Sequence, residues 1–511
     1  QIQFGLQIHM NNFFYNVSIA IPLRQAFTYH SDKHIPLGTR VAVKFGAKFK
    51  LGIILEETKQ HGMQTKPIHQ VLDDEPIFSV MELNILSWAS DYYHHPIGEV
   101  CNSFLPTSLR NVKTAMSIDA FPLNSDIDIT NFTKILSDQQ AVAVKFLLNL
   151  KGFSPTLLYG VTGSGKTEVY LRCIQEQLLQ DRSALLLAPE ISLTPQLELR
   201  LKEQFGDLVV LYHSKMTPLK RYQAWKKFRS GEARVLIGTR SAAMMSAPNL
   251  GLIIVDEEHD ASYKQHEGFK FSARDLAIKR AQMLKIPIIL GSAAPSLRTL
   301  RSVEEKKFGI IKLTKRITKQ NPPKFSILDI NETILTSGLA PQAIEAIAAT
   351  LQQKKQAMIF INRRGFAPQF ICANCDWRAI CNSCESSLVF HHHQDRLICH
   401  RCDSAFGVPK HCPACSAEQL SLIGTGTEQL EITLQELFPK IPIYRMDKDS
   451  TKKTNSIERL LDTIRDSQSS ILIGTQMLIK GHDFPNLELV VAIDVDQGVT
   501  SLHPGAIEEM G

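Results

Sequence analysis

Three sets of residues have types and spacings that could do chemistry. Gly160-Val161-Thr162-Gly163-Ser164-Gly165-Lys166-Thr167 fits the phosphate-loop pattern in full. Glycines let backbone N–H groups converge on phosphate oxygens, Lys166 can reach the β- and γ-phosphates, and the Thr167 hydroxyl can ligate Mg²⁺. About ninety residues on, Asp256-Glu257 forms an acidic pair in which Asp256 would hold the magnesium through water and Glu257 would polarise the attacking water. Alone, such a pair reads as a solvated turn; after a complete phosphate loop it reads as the catalytic half of an NTPase. The third set is eight of the ten cysteines, in four C-x-x-C pairs: Cys372/Cys375, Cys381/Cys384, Cys399/Cys402 and Cys412/Cys415. Two such pairs complete a tetrahedral site, so eight thiolates imply two structural Zn²⁺ ions. A disulfide cluster is the alternative, and spacing alone leaves open which pairs share a metal. His391, His392 and His393 are substitute ligands or a solvated turn, and the lone Cys101 and Cys173 read as core residues.

Elements must hold these groups in place. Compact apolar runs repeatedly end in small or charged residues, as buried parallel strands do, with ligands gathering at their carboxyl ends. The runs are Thr156–Tyr159, Ala184–Leu187, Val235–Ile237, Leu252–Val255 and Ile286–Leu290, then Ala357–Ile361, Ile471–Ile473 and Leu489–Ile493. They imply two α/β lobes, with the cysteine segment inserted into the second. Ser137-x-x-Gln140 opens a helix before the phosphate loop. The first hundred residues give strands at Asn16–Ile21, Thr39–Phe45 and Leu51–Glu56, which suit a small barrel, then a helix over Val80–Tyr93. Residues 111–134 read as a linker. With 511 residues and ~150 per domain, three or four domains are expected. The 44% hydrophobic and 21% charged content excludes a mostly disordered chain. The net charge of +6 permits a nucleic-acid partner without requiring one. No apolar run approaches the ~18–20 residues of a membrane span, and Gln1–His9 lacks a signal-peptide layout, so a cytoplasmic protein is expected.

The two lobes, the loop and the Asp256-Glu257-Glu258-His259 tetrad resemble superfamily 2 helicases. GVTGSGKTEVY from Gly160, APEISLTPQ from Ala188, GTRSA from Gly238, DEEHDASYKQ from Asp256 and NRRGFAP from Asn362 narrow the match. With GTQMLIKGHDFP from Gly474, DYYHHPIG from Asp91 and the cysteine block, they resemble the PriA family of replication-restart helicases between about Met10 and Asp496. A duplex translocase shares the loop and tetrad but gives no reason for eight cysteines.

The resemblance implies ATP-driven 3′→5′ unwinding at stalled or collapsed forks, DNA as partner (forks, 3′ ends, single strands), and contacts with primosome proteins and single-stranded DNA-binding protein. It also implies a monomer using ATP, Mg²⁺ and two Zn²⁺. The family's nested zinc pattern would join Cys372, Cys375, Cys412 and Cys415 at one ion and Cys381, Cys384, Cys399 and Cys402 at the other. The expected organisation is a β-rich 3′-end-binding domain (10–110), a linker (111–136) and lobe 1 (137–315). The start of lobe 2 (316–370), the two-zinc insert (371–418) and the remainder of lobe 2 (419–511) complete it. Phe27, Tyr29, Gly38 and Arg40 fall in the 3′-end stretch, with plain β-core as the alternative for the aromatics. Gln140 resembles the adenine-selecting glutamine of related helicases, or is an exposed helix residue. Tyr263, Phe269 and Phe271, interleaved with Lys264, Lys270 and Arg274, could stack on bases beside the nucleotide, or pack on one another. Gly238-Thr239-Arg240-Ser241 and Pro189-Glu190 could grip a strand's phosphates or serve as structural turns.

Three departures from the family pattern are expected to matter. The 111–134 stretch is a short linker where many family members carry a winged-helix domain, so that module is expected to be missing or vestigial. Ala294 stands where threonine is usual, a lost hydroxyl that could loosen the coupling of hydrolysis to movement. After Asp494-Val495-Asp496 no Gln-x-x-Gly-Arg-x-Gly-Arg segment comes next, which reads as a truncated second lobe. An arginine finger can be worth ~10³–10⁵ in rate, so an ATP-, zinc- and DNA-binding remnant with negligible turnover is the alternative function.

Overall fold

The computed structural model describes residues 13–59, 65–113, 132, 134–189, 194–317, 323–330, 333–361, 369–372, 374–375, 377–384, 388–391, 396–399, 402, 404–418, 420–423, 427–446, 460, 462–474, 484–493 and 495. Several expectations fall outside the described residues: Glu190, Asn362–Pro368, His392, His393, residues 475–483, Asp494, Asp496 and both chain ends. The chain divides into two compact units, Gln1–Asn321 and Pro322–Gly511.

In the first unit β1 (Phe13–Ile19), β2 (Phe27–Ser31), β3 (Arg40–Phe45), β4 (Lys48–Thr58) and β5 (Lys66–Val71) close a barrel in the order β1-β2-β5-β3-β4. Alternation along β1 turns Tyr15 and Val17 inward onto Tyr29, Val41, Val43 and Ile54. Helix α1 (Val80–Tyr92) starts at a capping box in which Ser79 and Glu82 satisfy each other's backbone N–H groups. With α2 (Ile97–Ser103) it leaves the barrel and joins a core containing Trp225, Phe228, Met244, Phe269 and Phe271. Apolar burial therefore welds the barrel to the first lobe.

That lobe is built on a seven-stranded parallel sheet. Its elements are α3 (Asp138–Leu148), β6 (Pro155–Gly160), α4 (Lys166–Leu179), β7 (Ser183–Leu187), α5 (Thr194–Phe205), β8 (Val209–Tyr212), α6 (Pro218–Ser230) and β9 (Val235–Gly238). They continue with β10 (Leu250–Val255), α7 (Ala273–Leu284), β11 (Ile288–Ser292), α8 (Leu297–Glu304) and β12 (Gly309–Leu313). The order is β12-β6-β11-β10-β7-β9-β8, with cores on both faces. Parallel pairing puts the carboxyl ends of β6, β10, β11 and β9 on one edge. Gly160, Asp256, Ser292 and Thr239 therefore gather there.

The second unit has α9 (Pro341–Gln352), β13 (Gln356–Ile361), β14 (Gln369–Cys372), β15 (Val389–His391), β16 (Arg396–Ile398), β17 (Ala405–Gly407), β18 (Leu420–Ile423), α10 (Thr427–Leu437), β19 (Ile443–Met446), β20 (Ile471–Gly474) and β21 (Leu487–Ile493). Strands β19-β20-β13-β21 make a parallel sheet whose core includes Ile347, Ile359, Leu430, Leu434 and Ile473. Between β13 and β20 in the chain lie an antiparallel pair, β14-β18, and a three-stranded sheet, β15-β16-β17, which carry the cysteines. The fold is α/β, with two RecA-like lobes, an N-terminal small β-domain and an inserted double-cluster cysteine segment.

Candidate active site and cysteine clusters

The phosphate loop leaves β6 at Gly160 and enters α4 at Lys166. Gly163 and Gly165 have φ of +78° and +75°, a region where side chains are strained. A Cβ on Gly165 would lie 2.3 Å from Gln140 Nε2, and one on Gly160 would lie 2.6 Å from Ser164 Oγ. No side chain caps the start of α4, so its N–H groups and positive dipole end face the loop. Ser164 Oγ is buried without a hydrogen-bond partner among the described residues. Lys166 Nζ donates to the Gly160 carbonyl at 3.1 Å and lies 3.4 Å from Glu257 Oε1. Uncommitted donors, a helix N-terminus and a half-neutralised lysine fit a triphosphate. Val161, Thr162 and Thr167 complete the loop.

The acidic tetrad comes directly after β10. Asp256 Oδ1 accepts a hydrogen bond from Tyr170 Oη at 2.8 Å. Burial, then the neighbouring Glu257 carboxylate, push the Asp256 pKa up to about 6, against the Tyr170 bond and the Lys166 charge. A divalent cation relieves that repulsion, so the donor set fits magnesium. Gly291 on β11 makes the Tyr170 bond possible, because a Cβ there would sit 1.7 Å from the Tyr170 hydroxyl oxygen. Glu257 occupies the left-handed region at φ +43°, a strained setting that accompanies its approach to Lys166. Glu258, 2% exposed, accepts from the Ser296 N–H and from the Ser296 and Thr299 hydroxyls, and pairs with Arg274 Nε at 2.7 Å. His259 Nδ1 bonds Ser292 Oγ at 2.8 Å, and Ser292 Oγ also accepts the Ala294 N–H. The side-chain link from tetrad to β11 thus runs through Ser292, beside the Glu258 N–H bond to the Gly291 carbonyl, and not through a hydroxyl at position 294.

Other sequence candidates turn out to be braces. Gln140 is 2% exposed rather than an exposed helix residue: its Oε1 accepts the Ser137 N–H and its Nε2 donates to the Ser164 and Gly165 carbonyls. Tyr263, Phe269 and Phe271 are 2%, 2% and 4% exposed, so none presents a free face to a base. Phe269 and Phe271 stack on each other and meet Tyr93 and Phe104, while Tyr263 Oη donates to the Asp256 and Leu187 carbonyls. Arg274 is committed to Glu258, leaving Lys264 and Lys270 exposed. The loop therefore ties the tetrad to α1 and α2. Arg240 donates to the Ser262 and Lys264 carbonyls. In the barrel, Arg40 pairs with Asp73, both side chains fully buried, and Gly38 admits the Phe78 carbonyl where a Cβ would lie 1.8 Å away. Tyr29 is 4% exposed and Phe27 meets Phe45 edge-on, so these positions are β-core. Sequence reading missed Tyr170, Tyr263's bracing role and Ser292. A glycine inside a buried strand, Gly291, was the signal for Tyr170.

The sulfurs of Cys372, Cys375, Cys412 and Cys415 all lie within 4.8 Å of one another, as do those of Cys381, Cys384, Cys399 and Cys402. Contacts run from 3.4 Å (Cys384–Cys399) to 3.6 Å (Cys372–Cys415), and all eight are free thiols. A tetrahedral ion at ~2.3 Å from each sulfur needs S···S of roughly 3.8 Å, close to what is seen. Turns such as Cys399 N–H to the Ser404 carbonyl and Cys412 N–H to the Ala417 carbonyl aim the thiols inward, and Asn374 N–H donates to Cys372 Sγ. Cys101 and Cys173 are core, at 0% and 2% exposure. No described helix is long and apolar enough to cross a membrane.

A family profile described as the 3′DNA-binding domain (3′BD) matches residues 16–106, and that of the DEAD/DEAH box helicase matches 137–303. The replication restart protein PriA of Haemophilus influenzae is 35% identical, over 97% of this chain and 78% of that protein. That of Bacillus subtilis is 37% identical over 72% of this chain and 46% of its own length. Among solved structures, the DUF1998 helicase MrfA bound to DNA superposes with a TM-score of 0.42 at 16% identity, covering 70% of this chain and 44% of that one. The sequence relatives are the ones that decide membership, since the likeness to the Haemophilus protein runs over nearly the whole chain, and by it this chain belongs to the PriA family of replication restart proteins.

Proposed function

We propose that this chain is the ATP-dependent 3′→5′ DNA helicase of a primosome, recognising stalled or collapsed forks and restarting DNA replication. The observation carrying this is Lys166 held against Glu257, with Asp256 beside them, at the mouth of a glycine loop on a parallel-sheet edge. When bound, ATP would supply the phosphoanhydride whose cleavage drives the motor, and magnesium would neutralise its phosphate charge. Lys166 would leave Glu257 for phosphate oxygens, Thr167 and Asp256 would hold the cation, and the freed Glu257 carboxylate would orient the attacking water. Gly160, Val161, Thr162, Gly163, Ser164 and Gly165 cradle the phosphates, and Gln140 props that cradle, beside any contact it makes with adenine. Residues 10–110 are the 3′-end-binding domain, 111–136 the linker, 137–315 and 316–511 the lobes, with 371–418 a two-zinc insert.

Each four-cysteine cluster holds one Zn²⁺ in a closed structural site. On the barrel, exposed Phe49 stacks on His69 at 4.2 Å among exposed Lys48 and Lys66, a surface suited to a DNA strand. Primosome proteins and single-stranded DNA-binding protein are the expected partners of a monomer working in the cytoplasm. Strand displacement on forked DNA with single 3′ or 5′ tails tests the reading. ATP-dependent release from the 3′-tailed substrate is expected, and release confined to the 5′-tailed substrate, or needing no ATP, would contradict it.

A further inference from the structure

The segment leaving the first unit's edge strand is strapped across the phosphate loop. The Val161 N–H donates to the Leu313 carbonyl at 3.1 Å, and the Ile317 N–H donates to the Gly163 carbonyl at 3.0 Å. Between these ties, Gln139 Oε1 accepts the Thr314 and Lys315 N–H groups at 3.0 and 3.1 Å, and its Nε2 donates to Thr314 Oγ1. Ile317 is the last described residue of the strap. Its Cδ1 lies against Gly165, where a Cβ would approach to 2.3 Å, alongside the Gln140 amide. Yet the side chain is 58% exposed.

Single exposed apolar residues are ordinary. This one is different because its main chain is bonded to the loop, so it cannot fold away from the position it holds at the loop's lip. A saturated side chain offers nothing to phosphate oxygens, which take N–H groups and cations. It does suit the face of an aromatic base, for which burial against a branched aliphatic group is favourable. We propose that Ile317 is a shelf for the purine ring of the bound nucleotide, set at a fixed height above the phosphate cradle by the 313–317 strap. The assignment rests on the nucleotide-site reading above. It makes Ile317 a substrate-contacting residue and Gln139 its positioning residue.

Equilibrium titration of the full chain with magnesium–AMPPNP and with magnesium–tripolyphosphate separates the possibilities, because only the first carries a base. For Ile317→Ala, AMPPNP affinity should fall about five- to tenfold while tripolyphosphate affinity holds. Ile317→Leu should stay within about twofold for both, since it keeps the buried area. Unchanged AMPPNP binding in Ile317→Ala would overturn the shelf. Equal losses for both ligands would also overturn it, by making Ile317 a prop of the loop. If the wild-type chain bound neither ligand, the nucleotide-site reading itself would fall.

Discussion

The nucleotide site and the cysteine segment are organised in opposite directions. At the first, a seven-stranded sheet with apolar cores on both faces fixes the strand ends, and buried bonds from Tyr170, Tyr263, Ser292, Arg274 and Gln140 lock the polar groups onto them. Fold comes first there, and the site is its consequence. At the second, strands of three and four residues surround a core that itself contains Cys381 and Cys399. So little apolar surface is poorly suited to hold eight thiols together, and a bound ion would supply the missing free energy. A motor needs the first arrangement, because its site must survive each turnover unchanged.

Substitutions can break or sharpen this contrast. The largest effect should come from Lys166→Ala, which removes phosphate neutralisation without disturbing the sheet: turnover should drop at least ~10³-fold, with the melting temperature unchanged. Loss of fold in a melting scan would instead make Lys166 a structural residue. Next is Glu258→Ala, which takes the buried carboxylate from Arg274 Nε and leaves that guanidinium with Asp275 and the Thr299 hydroxyl. It should cost about 1.5–3 kcal/mol in urea unfolding of the first unit and leave metal content alone. A cost below ~1 kcal/mol would show that the tetrad is less integrated with its scaffold than the bonds imply.

Cys384→Ser probes the other region. Zinc per chain, measured by atomic absorption, should fall from two to one, with AMPPNP affinity preserved. Loss of nucleotide binding together with the metal would erase the distinction between the regions. The smallest effect belongs to Ser292→Ala, which cuts the hydroxyl link between His259 and β11. About 1 kcal/mol, or roughly fivefold in DNA-stimulated turnover, is expected from the lost His259 bond, while the Ala294 N–H also loses its acceptor, and basal turnover should move less. Equal loss in both would place His259 in hydrolysis rather than coupling.

Much of the fold is legible because burial on both faces writes parallel strands as continuous apolar runs. Ala184–Leu187 and Val235–Ile237 differ from the observed strands by one residue, and the helices expected from Val80 and after Ser137-x-x-Gln140 both begin where the sequence puts them. The apolar run from Ile286 starts two residues before its strand does. Lys285 is left-handed at the end of α7 and the Ile286 N–H bonds back to Ala281, so the strand starts at Ile288. Edge strands are not legible: β8 is four residues long, and β12 buries only Leu313 deeply. Barrel strands β2 and β5 carry His and Lys that mask the alternation.

The site is legible where chemistry dictates residue types in a fixed local order, as in the phosphate loop, the tetrad and the C-x-x-C pairs. It is not legible where distant segments meet. Nothing local distinguishes Tyr263 as an acceptor-seeking brace from Tyr263 as a base platform, and the structure decides by burying it under the tetrad. Nor does anything near Arg40 announce that Asp73, thirty-three residues on, takes its guanidinium.

Steady-state ATP hydrolysis by the 511-residue chain, with and without forked DNA and beside Lys166→Ala, bears most directly on the motor itself. Hydrolysis that DNA stimulates and that vanishes in the variant is the predicted result. Hydrolysis indifferent to DNA, or undiminished in Lys166→Ala, would contradict the account.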